Sequence, residues 1–243
     1  MSKRRIVDEG GDGPNPPQSA EAVQLSGGPM EKVVMPSGLL LYRYRLSSFP
    51  PNVQEHQRLC AFLGALISKL MIATGKRLEP FLCIDGRHLD DDFFSRLRES
   101  GVPWRALMGF PLIPGLHPFR YLPIAYHING RDAWNEVAEL FVGTGGTALY
   151  LTSLPADEFL TRIIQLLLVR DHRGATRLFP VYLPETVLEQ LQKTTRPALK
   201  SMLECFEFFV GENPAAGSID IVSASEIQGL VNSVLESSVR VGT

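Results

Sequence analysis

The chain has 243 residues, 44% hydrophobic and 21% charged, an ordinary globular composition with enough apolar content for a sizeable buried core. A formal net charge of -2 and a pI near 6.2 leave no basic excess, which excludes nucleic acid as an expected partner. No apolar run approaches the roughly 20 residues that span a bilayer, so no membrane partner is expected either.

Met1-Ser2-Lys3-Arg4-Arg5 is basic, but Gly, Pro and Asp follow where a secretory signal would carry an apolar run, so a cytoplasmic location is expected. Residues 1 to about 30, including Gly10-Gly11-Asp12-Gly13-Pro14, hold too little apolar content to repay the entropy of ordering and read as a flexible tail. Val33-Val34-Met35 and Leu39-Leu40-Leu41-Tyr42 are strand candidates, with Pro36-Ser37-Gly38 as the turn of a hairpin. Leu59, Phe62, Leu63, Leu66, Ile67 and Leu70 recur at three- and four-residue steps, which predicts an amphipathic helix stopped at Gly75.

Phe81-Leu82-Cys83-Ile84 is continuously apolar, the pattern of a strand covered on both faces, and Asp85-Gly86 ends it. A helix is expected from about Asp91, then a Pro- and Gly-rich stretch from Pro103 to Pro118, then a strand within Tyr121 to Ile128. Trp134, Val137, Ala138 and Phe141 share a helical face, Ala148 to Leu151 reads as a short strand, and Phe159 through Leu168 form another helical stripe with Pro155 in its first turn. Leu178 to Leu183 reads as a strand interrupted by Pro180. Beyond it, Pro184 opens a helix with Val187, Leu188 and Leu191; Leu199, Met202, Leu203 and Phe206 define another; Ser223-Ala224-Ser225-Glu226 matches a capping box before a last helix. The expected fold class is α/β: a lobe over residues 31–183 with a mixed sheet and flanking helices, followed by a smaller, mainly helical lobe over 184–243.

Candidate chemistry is sparse. Gly143-Thr144-Gly145-Gly146 follows a helix and precedes a strand, the reverse of a phosphate-binding loop, so a helix cap and turn is favoured. Asp85 at a strand end, with Asp91 nearby, is the best enzymatic candidate, because such carboxylates can hold Mg²⁺ in a metal-dependent hydrolase. Against it, an aspartyl-phosphate enzyme wants a second carboxylate two residues on, where this chain has Arg87. The five histidines are scattered and read as surface or turn residues, and no Gly-x-Ser-x-Gly elbow occurs. Cys60, Cys83 and Cys205 lie in apolar surroundings without metal-ligand spacing and read as buried, reduced thiols. No cofactor, metal site or catalytic constellation is expected. Trp104, Phe110, Phe119 and Tyr121, around the Pro-rich stretch, serve either as core or as anchors for a protein partner.

Three stretches together resemble the domain-of-unknown-function family whose members serve as type VI secretion effector adaptors, also called Tap or Tec chaperones. Phe81 to Arg87 is similar to the family's apolar strand ending in Leu-Asp-Gly-Ala-Arg, and Pro103-Trp104-Arg105-Ala106-Leu107 to its Trp-Arg-x-Leu segment. Tyr121-Leu122-Pro123-Ile124-Ala125 is similar to its Gly-Pro-Tyr-Leu-Val strand. The third stretch runs from Ser153 through Leu166-Leu167-Leu168-Val169-Arg170-Asp171-His172-Arg173-Gly174 to Leu188, with Phe179-Pro180-Val181-Tyr182-Leu183-Pro184 where the family has Phe-Arg-Phe-Tyr-Asp-Pro. The resemblance covers about residues 80 to 210. It implies a non-enzymatic cytoplasmic chaperone that binds a cognate toxic effector and loads it onto the VgrG spike protein. It also implies that the C-terminal helical lobe contributes to effector choice, which points to Phe206, Phe208, Phe209, Ile227, Leu230 and Val234, residues that would serve equally as a small core.

Overall fold

The computed structural model of the chain describes residues 31–45, 69–72, 74–88, 103–108, 123–128, 146–170, 174–213 and 215–224, with single positions 92, 95, 99 and 101. The expected tail, the helix of Trp134 to Phe141 and the last helix after Ser225 lie outside the described residues. Of the helix expected from Leu59, residues 69–72 and 74 are described as helical, and Gly75 follows with φ +63° as its stop. Positions 92, 95 and 99, inside the helix expected from Asp91, are also helical.

Pro36-Ser37-Gly38 does close a hairpin. Strand β1 (Glu31–Val34) runs antiparallel to β2 (Leu40–Arg45), with Val34 opposite Leu40. Gly38 takes φ +77°, a conformation that costs a residue without Cβ nothing, and its N–H donates to Met35 O at 2.9 Å. Four strands follow: β3 (Glu79–Ile84), β4 (Trp104–Ala106), β5 (Ile124–His127) and β6 (Thr147–Thr152). Helix α1 (Ala156–Leu166) is capped by Pro155, just outside its first turn, and carries Asp157 and Glu158 at the positive end of its dipole. A two-stranded ribbon, β7 (Leu168–Arg170) and β8 (Thr176–Leu178), separates α1 from α2 (Pro184–Lys193). A 3₁₀ turn (Arg196–Leu199) leads into the short α3 (Lys200–Leu203), and β9 (Phe208–Asn213) and β10 (Ser218–Ser223) complete the order.

Eight strands form one sheet in the order β1-β2-β10-β9-β6-β3-β5-β4. Every described pairing is antiparallel, so the expected mixed sheet is corrected to an antiparallel one with helices packed on it. Phe208 to Ser223 differs most from expectation: within the region expected to be mainly helical, it supplies two strands that stand between β2 and β6. The sheet therefore takes strands from both sides of position 183.

Both sheet faces are buried. On one, Leu41, Val222, Phe209, Tyr150 and Phe81 belong to a core shared with Phe159, Leu160 and Ile163 of α1 and Val187, Leu188 and Leu191 of α2. On the other, Tyr42, Ile221, Phe208, Leu149, Leu82 and Ile84 are each fully buried. Double coverage explains why β3 reads as a continuous apolar run, and each such large side chain contributes about 1.5–3 kcal/mol through burial.

Two segments stop earlier than expected. Helix α1 ends at Leu166, and Leu168 leaves its buried stripe to become an exposed strand residue. Of the strand expected over Leu178 to Leu183 only Leu178 is in a strand, the last residue of Thr176–Leu178, because Pro180 cannot donate to a ladder. The chain turns there instead, with Val181 N–H donating to Phe179 O and Leu183 N–H to Pro180 O, both at 2.9 Å.

Candidate functional site

Strand β3 delivers Asp85 to its carboxyl end, where the Asp85 N–H donates to Gly146 O at 2.9 Å. Asp85 is buried, and its carboxylate folds back on Arg87. Oδ1 accepts the Arg87 backbone N–H at 3.0 Å, and the guanidinium donates through Nε to Oδ2 at 2.9 Å and through Nη2 to Oδ2 at 2.5 Å. This pairing holds the Arg87 guanidinium more firmly protonated than usual. Burial raises the pKa of the neighbouring Tyr182 hydroxyl; the Asp85 charge raises it further and Arg87 opposes. A carboxylate gripped at both oxygens by its own arginine is a turn lock, and a metal ion would have to displace the arginine. Asp91 lies outside the described residues, among which no group of three His, Cys, Asp or Glu is placed to hold a metal.

The proposed partner anchors separate. Trp104 is half-buried on β4, an edge strand among the described residues, opposite Tyr126. Phe206, Phe208 and Phe209 are at most 3% exposed and form part of the protein's interior. Phe206 and Phe209 meet the Tyr150 ring edge-on at 5.6 and 5.3 Å, and Phe208 faces the opposite side of the sheet from Phe209. All three are core side chains in this fold, Phe208 and Phe209 on a strand interior to the sheet. Phe119, Tyr121, Ile227, Leu230 and Val234 lie outside the described residues.

Among other polar groups, His127 sits on β5 and not in a turn, its Nε2 2.8 Å from Glu79 Oε2, while Arg77 holds Glu79 Oε1 at 2.8 Å. Cys83 and Cys205 are buried as expected; burial pushes the Cys205 thiol up to about 11 and raises that of Cys83 too. A surface hollow of about 430 Å³ is lined by Arg196, Pro197, Lys200, Leu203, Glu204 and Ala224.

What the sequence reading passed over is the β7–β8 ribbon. Leu168 lies opposite Leu178, and the two are 64% and 48% exposed. The Phe179 N–H donates to Leu167 O at 2.7 Å, which sets Leu168 and Leu178 at a pair without mutual hydrogen bonds, where facing side chains come closest. Below that bond the chain is interior: Leu167, Phe179 and Val181 are buried, and the Tyr150 hydroxyl donates to Val181 O at 2.6 Å. The signal was present as an apolar run into Arg170, a Gly174 turn, then Thr176-Arg177-Leu178, but the helical stripe of α1 masked it.

No helix among the described residues is long and apolar enough to cross a membrane. No protein-family model, curated protein or solved structure matches the chain.

Proposed function

We propose that the chain is a cytoplasmic adaptor chaperone of type VI secretion, which binds a cognate toxic effector and loads it onto the VgrG spike. The observation that carries this reading is the exposed leucine pair on a ribbon whose base is held in the core, because an adaptor needs apolar surface on a stiff frame. The ribbon lies inside the stretch from Ser153 to Leu188 that resembles the adaptor family, flanked by α1, which is also in that stretch, and by α2, whose first half is. The Asp85–Arg87 lock favours the adaptor over hydrolysis through Asp85, since the arginine occupies the carboxylate that such chemistry would use.

The test is co-purification of the tagged chain with the product of its neighbouring gene and with VgrG, followed by mass spectrometry of everything retained. A stoichiometric effector complex is the expected result. Recovery of the chain alone, with both partners co-expressed, overturns the adaptor reading.

A further inference from the structure

We draw no further inference here: the strongest candidate, the exposed apolar pair Leu168 and Leu178 on the β7–β8 ribbon, belongs to the surface already described, and nothing in the structure shows what covers it.

Discussion

Arg43 and Asp220, 177 positions apart in the chain, meet across β2 and β10 through two hydrogen bonds of 2.9 Å each, from Nε to Oδ1 and from Nη2 to Oδ2. Asp220 is fully buried and also accepts from Ser218 Oγ at 3.0 Å and Asn213 Nδ2 at 3.2 Å. Removing the guanidinium leaves a buried carboxylate with two neutral donors. Arg43→Ala should therefore cost about 3 kcal/mol, and Arg43→Lys should recover only part, since an ammonium cannot reproduce the fork. Urea denaturation measures both; a loss below about 1 kcal/mol for Arg43→Ala would place this pair with ordinary surface bridges.

Gly211 is the position where helix α2 comes down on the sheet. A Cβ there would stand 2.7 Å from Pro184 Cβ and 2.9 Å from the Phe209 ring. Pro184 is the first residue of α2 and the Phe209 ring packs against Tyr150, so neither can yield cheaply. Gly211→Ala is expected to lose about 1–3 kcal/mol by overpacking. A thermal midpoint equal to wild type would show that α2 can lift off β9 at no cost.

The buried thiols set an alkaline limit. Burial raises Cys205 from its ordinary 9.0 to about 11, and it raises Cys83 and the Tyr150 hydroxyl as well. Above the unfolded value the unfolded state gives up protons that the folded state retains, so stability is fully present below about pH 9 and is lost as pH rises toward 11. The loss should approach about 1 kcal/mol per pH unit for each thiol. Denaturation midpoints at a series of alkaline pH values read this directly, and Cys83→Ala/Cys205→Ala should flatten the curve if its core tolerates the change.

Divalent metal should not stabilise the chain. A site on Asp85 held at about 100 times its Kd would add about 2.7 kcal/mol. With Arg87 gripping both Asp85 oxygens, Mg²⁺ or Mn²⁺ is expected to leave the melting temperature where it was. A rise that disappears in Asp85→Asn would return the hydrolase to consideration.

What the sequence determined by itself was local. Gly38 fixed the first turn through its positive φ, the Phe81–Ile84 run announced a strand buried on both faces, and the stripes of α1 and α2 followed from three- and four-residue spacing. Tertiary structure decided the rest. Leu199, Met202, Leu203 and Phe206 keep a helical step, yet the helix stops at Leu203, because Phe208 and Phe209 find separate cores on opposite faces of the sheet. Asp220 makes Ser218–Ser223 look unsuited to an interior strand until Arg43 arrives from β2 to neutralise it. Leu168 belongs by spacing to α1 and by structure to the ribbon, since a short apolar run carries no period of its own and its pairing with Leu178 is made only after the chain turns back. Pairings of this kind join residues far apart in the chain, and local spacing holds no record of them.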